Sequence, residues 1–149
     1  MIIKVDNLNE LPMDLLLLAD PSERLVKEYI SRSKNYVLIE DDKTIGVLIM
    51  LPTRPNTIEI VNIAIAPSYQ RKGYGKRLLK FAINTAKNDE FKHIEIGTAN
   101  SSINQLALYQ KIGFRINYID KDFFLKNYHD KIYENHIQAI DMIRLYMDI

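Results

Sequence analysis

The sequence predicts an α+β fold, a mixed and twisted β-sheet flanked by helices, and three observations predict it. Read along the chain, the element order is β-α-α-β-β-β-α-β-α-β-β, which mixes hairpins with parallel crossovers. The segment Ile58 to Ala66 (IEIVNIAIA) is apolar at almost every position, as expected of a central strand covered on both faces. The helix after it puts Leu78, Leu79, Ala82, Ile83 and Ala86 on one stripe, with Lys76, Arg77, Lys80 and Lys87 away from it.

Each element has its own local signal. Ile2 to Val5 reads as a short first strand and Leu11 to Leu18 as a leucine-packed helix. Asp20-Pro21-Ser22-Glu23 supplies an N-cap, a first-turn proline and a glutamate three residues after the cap. The helix it starts runs to about Ser31 and buries Leu25, Val26, Tyr29 and Ile30. Tyr36 to Glu40 and Ile45 to Leu51 are strands of a hairpin closed by the polar turn Asp41 to Thr44, and Pro52 to Asn56 turns the chain into the central strand. Pro67 cannot donate to a ladder and, with Ser68, ends that strand. His93 to Thr98 is the next strand. Ser102 and Gln105 can form a capping box for a helix that stops at Gly113, a natural C′ residue. Phe114 to Ile119 and Asp141 to Met147 are the last strands. The long link between them, Asp120 to Ala139, is rich in aromatics and charge, and connections of this length are often functional.

Bulk composition excludes several classes. A chain of 149 residues with 47% hydrophobic content suits one domain, here residues 1–149, with a real core. Net charge of +1 gives no general affinity for nucleic acid or membrane. With no cysteine there is no disulfide framework, thiolate metal site or cysteine nucleophile, and a cytoplasmic location is compatible with this. His93, His129 and His136 lack metal-ligand spacing, so no metal is expected. No apolar run is long enough for a membrane span.

The chemistry concentrates between the central strand and its helix. Gly73 and Gly75 let the backbone bend tightly or approach a ligand closely, and the free amides of the helix's first turn carry partial positive charge. Arg71, Lys72 and Lys76 add full charges. The result is a cradle for a phosphate or pyrophosphate. A P-loop is excluded, because Gly75-Lys76 is followed by Arg77 and no glycine stands five residues before Gly75. A dinucleotide fingerprint is excluded because its third glycine is replaced by Leu78. The plainer alternative is a strand-turn-helix with a solvated basic turn.

What remains is Gln-x-x-Gly-x-Gly, Gln70 to Gly75, behind a strand ending Ala-Ile-Ala-Pro. It resembles the pyrophosphate loop of the GNAT superfamily, the acyl-CoA-dependent N-acetyltransferases. A second stretch, Asn104 to Phe114 with its Leu-Tyr-x-x-x-Gly-Phe ending, is similar to another helix of that family. The element order matches too, so the resemblance covers essentially the whole chain and implies a GNAT-type sheet. It implies an acyltransferase that uses acetyl-CoA as cosubstrate, without metal, and an amine acceptor attacked directly in a ternary complex. It further implies a pyrophosphate on Arg71, Lys72, Gly73, Tyr74, Gly75 and Lys76. The acetyl carbonyl would lie on the amide of Ile63, and the pantetheine arm along Ile63, Ala64 and Ile65.

The same resemblance gives Tyr109 the role of proton donor to the departing thiolate. Without it, Tyr109 reads equally as a core aromatic. Glu59 stands where histone-acetylating members carry a catalytic glutamate, six residues before Ile65. The alternative is a strand carboxylate facing solvent or pairing with a lysine. Strand alternation is expected to put Glu59, Val61, Ile63 and Ile65 on one face. Ribosomal-protein acetyltransferases of the superfamily carry a glutamate twelve residues before the tyrosine, and here that position is Gly97, so that substrate class loses weight. Ser102 replaces an asparagine frequent in the family seven residues before the tyrosine. A homodimer is compatible with this reading. Two other classes stay open: a CoA-binding regulatory module without catalysis, and an RNA- or protein-binding domain using the basic turn.

Overall fold

The computed structural model describes residues 1–149. Its strands are β1 (Ile2–Lys4), β2 (Lys34–Glu40), β3 (Lys43–Arg54), β4 (Thr57–Ile65), β5 (His93–Ala99), β6 (Arg115–Asp120), β7 (Tyr133–Glu134), β8 (Ile137–Gln138) and β9 (Met142–Asp148). The helices are α1 (Met13–Ala19), α2 (Glu23–Ile30), α3 (Tyr74–Asn88), α4 (Ile103–Ile112) and α5 (Phe123–Asn127). Seven strands form one sheet in the order β1-β2-β3-β4-β5-β9-β6, and β7 and β8 form a separate small hairpin. Only β4 and β5 run parallel; the other neighbours are antiparallel. The sheet is therefore mixed, as predicted, and β4 lies at its centre.

Two apolar cores sandwich the sheet. Leu78, Leu79, Ala82 and Ala86 of α3, with Tyr109 and Phe114, pack on Leu48, Met50, Ile58, Ile60 and Ile96. On the other face Leu15, Leu16, Val26, Tyr29 and Ile30 pack on Val47, Ile49 and Ala64. Each fully buried leucine or isoleucine contributes about 1.5–3 kcal/mol over its exposed state.

The local readings were accurate in kind and off at several ends. The first helix starts at Met13 rather than Leu11, because Pro12 precedes its first turn and Leu8–Glu10 form a 3-10 turn. The cap of α2 is Ser22, whose Oγ accepts from the Leu25 amide, rather than Asp20. β3 runs through Pro52 to Arg54, leaving only Pro55 and Asn56 for the turn. The Ser102–Gln105 capping box does not form: Ser102 Oγ instead donates to Glu134 Oε1 at 2.6 Å. Gly113 ends α4 at φ 125°, with the Phe114 amide donating back to the Tyr109 carbonyl, as a C′ glycine should.

The consequential difference lies inside β4. Ile49 pairs with Asn62 but Met50 pairs with Ile60, so β4 carries a bulge at Val61. The bulge reverses the alternation predicted for this strand. Ile58, Ile60, Ile63 and Ile65 all pack toward α3, whereas Val61, Asn62 and Ala64 turn toward α1 and α2. Glu59, between Ile58 and Ile60, is on the α1/α2 side. It does not share a face with Ile63 and Ile65.

Candidate active site

β4 and β5 separate at the centre of the sheet. Their ladder runs from Thr57↔His93 to Ile60↔Ile96 and stops, while β4 continues to Ile65 and β5 to Ala99. Past the fork β4 pairs only with β3, and β5 only with β9. The Ala66 amide donates to the Ile45 carbonyl on the β3 side at 2.7 Å. Alternation of backbone groups then turns the N–H and C=O of Ile63 and Ile65 toward the gap, and those of Ala64 toward β3. Gln70, the first residue of the motif, spans the end of the gap: its Nε2 donates to the Ile65 carbonyl at 2.9 Å.

The cradle sits at the open end of this fork. Gly73 is the N-cap of α3 with φ +88°, a conformation that costs a side-chain-bearing residue about 1–2 kcal/mol. The first α3 amide to bond inward is that of Arg77, which donates to the Gly73 carbonyl, so those of Tyr74, Gly75 and Lys76 are free. A Cβ placed on Gly73 would meet no atom within 4 Å, so the space before the helix is open. Gly75 lies inside the first turn, where a Cβ would come no nearer than 4.0 Å to Leu108, and only Gly73 is needed for the bend. Arg71, Lys72 and Lys76 are exposed around this space, with Lys72 Nζ 5.7 Å from the Tyr69 ring centre. Arg77 points elsewhere, donating to Glu40 at 2.8 Å. An anion of pyrophosphate size and charge fits these donors.

Tyr109 packs in the core beside Phe114, ring centres 6.2 Å apart, and is 5% exposed. Burial first, and the negative charge of Glu134 second, push its hydroxyl well above the usual phenol range. It holds its proton throughout the neutral range. Glu134 reaches this neighbourhood because the β7–β8 hairpin rests on the turn after β5: Asn135 donates to the Ser101 carbonyl, and Asn100 donates to the Gln138 carbonyl.

On the opposite face, Glu59 lies beside the fork. Arg144 of β9 donates to Glu59 Oε2 at 3.3 Å and to Asp120 Oδ2 at 3.4 Å. Burial is the main influence on the Glu59 carboxyl and raises its pKa; the Arg144 cation opposes this and Glu95, its neighbour across the parallel ladder, reinforces it. Neither solvent nor a lysine is its partner, as the plain alternative had it, but an arginine 85 residues away in the chain.

The 120–139 segment roofs this face. α5 lies on it, with Phe123 beneath the Arg144 guanidinium at 5.3 Å and Phe124 stacked on Tyr128. Tyr128 donates to Asp20 Oδ1 at 2.8 Å, pinning the roof to the α1–α2 junction. Asp20 also accepts from the Tyr29 hydroxyl, and Asn62 at the bulge donates to that hydroxyl and to the Leu16 carbonyl. Sequence reasoning missed Arg144, Asp20, Tyr29, Asn62 and Tyr128. None belongs to a motif; a buried asparagine inside an apolar strand was the only signal.

A mixed sheet that forks between two parallel central strands, with an anion cradle at the fork, is the GNAT-type arrangement that the resemblance implied. Residues 6–114 match the model of the Acetyltransferase (GNAT) family, and the chain belongs to that family. The chain is 56% identical over 136 residues to a Bacillus subtilis (strain 168) protein called "Uncharacterized N-acetyltransferase YvbK", covering 91% of this chain and 88% of that one. Its fold superposes on a structure described as an IAA acetyltransferase from Bacillus cereus ATCC 14579, with a TM-score of 0.97, 50% identity and 100% and 99% coverage. A GNAT family acetyltransferase from Elizabethkingia anophelis, solved with acetyl-CoA bound, gives a TM-score of 0.97 at 44% identity, covering 100% of this chain and 97% of that one. The chain is an acetyltransferase of this family. No helix is long and apolar enough to cross a membrane, and no cluster of three or more His, Asp or Glu stands ready for a metal.

Proposed function

We propose that the protein transfers an acetyl group from acetyl-CoA to a primary amine, of a small molecule or a protein, by direct attack within a ternary complex. The observation that carries this reading is the fork of β4 from β5, with its unpaired backbone leading straight to the cradle. Arg71, Lys72, Lys76 and the amides of Gly73, Tyr74, Gly75 and Lys76 hold the pyrophosphate. The free edge at Ile63 and Ile65 takes the pantetheine arm as an added strand, with Ala64 as the link between them. The Ile63 amide donates to the carbonyl oxygen, whose charge grows as the tetrahedral centre forms.

The amine approaches from the α1/α2 face, beneath the roof. Glu59 removes its proton through a water, since the bulge turns the carboxylate away from the face of Ile63. Tyr109, still protonated, donates to the leaving thiolate. An assay of free-thiol release from acetyl-CoA against a panel of primary amines tests this. Release that depends on an amine, with the acetylated amine found by mass spectrometry, is the expected result. CoA binding with no amine-dependent release would reduce the protein to a CoA-binding module.

A further inference from the structure

We propose that Arg144 is the positioning residue for Glu59, locking that carboxylate to the roof of the acceptor side through a guanidinium that spans three strands. The inference rests on the reading of Glu59 as the base, but its geometry stands apart from it. Arg144 projects from β9, directly opposite Gly97 of β5, and ends on Glu59 of β4. Its second nitrogen reaches Asp120 at the end of β6, and its plane covers Phe123 of α5. One side chain, 18% exposed, therefore meets both the candidate base and two residues of the roof.

The path exists because β5 has no side chain at Gly97. A Cβ there would lie 2.6 Å from Met142 Sδ and 3.4 Å from Arg144 Nη1. Met142 thus fills the room that a Cβ at 97 would need, and Arg144 passes just beyond it at ordinary contact distance, where a longer side chain would stand in its way. The fork geometry gives the arrangement a purpose. Glu59 sits one rung inside the end of the β4–β5 ladder, directly across from Glu95, so its neighbour on β5 repels it and offers no hydrogen-bond donor. The two Arg144 hydrogen bonds, at 3.3 and 3.4 Å, are long for a charge-assisted pair, and Arg144 Nε is buried without a partner. The guanidinium orients the carboxylate without saturating it, leaving Glu59 free to take a proton.

Four charged groups face this position: Arg144 from β9, Glu95 from β5, Arg54 from β3, and Asp120 from β6 through Arg144. Of these, Arg54 is already paired with Glu95 at 3.0 Å. Arg144 is therefore the cation that sets how readily Glu59 ionises, and removing it must favour the protonated carboxyl.

The test is a carbon-13 NMR titration of the glutamate carboxyls in the full chain without ligand, with the Glu59 signal assigned by its loss in Glu59→Gln. Arg144→Met should move the Glu59 midpoint upward by about one pH unit or more, the size an adjacent opposite charge produces. Arg144→Lys should restore most of that shift, keeping the charge but not the fork. An unmoved Glu59 midpoint in folded Arg144→Met overturns the proposal, and so would a lysine variant no better than methionine. The reading of Glu59 as base fails separately, if Glu59→Gln leaves the pH-rate profile unchanged while the midpoint still depends on Arg144.

Discussion

The cradle beside α3 is made of backbone, and the face beneath Glu59 is made of side chains. In the first, the working groups are three free amides of one helical turn, a glycine at φ +88°, and the unpaired edge of one strand. All lie within one continuous stretch, residues 63–76. In the second, Glu59, Arg144, Asp120, Phe123, Tyr128, Asp20, Tyr29 and Asn62 come from four stretches far apart in the chain, 20–29, 59–62, 120–128 and 144. Backbone sites follow from local conformation, so few identities matter and those few are conspicuous. Side-chain sites depend on register, so a single bulge can decide which face a residue serves.

The sharpest way to break the first half of this comparison is Gly73→Glu. The substitution adds strain at a positive φ and a negative charge where an anion is proposed to bind. Affinity for CoA should fall by at least about a hundredfold, or roughly 2.7 kcal/mol. Calorimetry on a variant with unchanged circular dichroism checks this, and unchanged affinity would disprove the cradle.

On the α3 face, the same side as the cradle, Tyr109→Phe should lower turnover by about a hundredfold to ten-thousandfold with acetyl-CoA affinity preserved. The hydroxyl is proposed to act only on the leaving group, so binding and turnover should separate. A Phe variant with full turnover, measured where chemistry limits the rate, would return Tyr109 to a packing role.

For the acceptor face, Glu59→Gln should reduce turnover at neutral pH by about a hundredfold, the low end for acid-base catalysis because the proposed relay runs through a water. The raised pKa of Glu59 fixes the sign: below it the carboxyl is protonated and cannot accept, so the rate falls on the acidic side. The Gln variant should lose that limb and recover part of its rate at higher pH, where more amine is neutral. A profile that overlays the parent's would remove Glu59 from the mechanism.

Tyr128→Phe probes the roof and carries the smallest effect. It deletes one of three donors to the Asp20 carboxyl, two phenols and the Ser22 amide. Stability should drop by about 1.5 kcal/mol, a shift of the urea midpoint with an unchanged slope, while CoA affinity stays put. A matched loss of CoA affinity would mean that the roof also shapes the cradle.

Legibility in the sequence follows the same division. The apolar run of β4, the stripe on α3, Gly73 and Gly113 each announce local structure, and the fold class with them. The bulge at Val61 is nearly silent: its one trace is that the polar residues Glu59 and Asn62 stand three apart, out of step with alternation, inside a run otherwise apolar on both sides. Arg144 is silent as well: in MIRLYMD it reads as an ordinary strand arginine, and its reach to Glu59 exists only through Gly97 on the strand between. Even Ser102, correctly placed at the start of α4, was given the wrong partner, because Glu134 returns to it from 32 residues downstream.

In the proposed mechanism, backbone amides of β4 and α3 hold the acyl donor while the Glu59 face is left to the acceptor. Amide NMR of the labelled protein, titrated with CoA, tests this most directly. The largest perturbations should fall on Ile63, Ile65 and Gly73 to Lys76, and the Arg144 and Tyr128 amides should barely move. Perturbations concentrated on the Arg144–Tyr128 face, with Ile63, Ile65 and Gly73 unmoved, would contradict it.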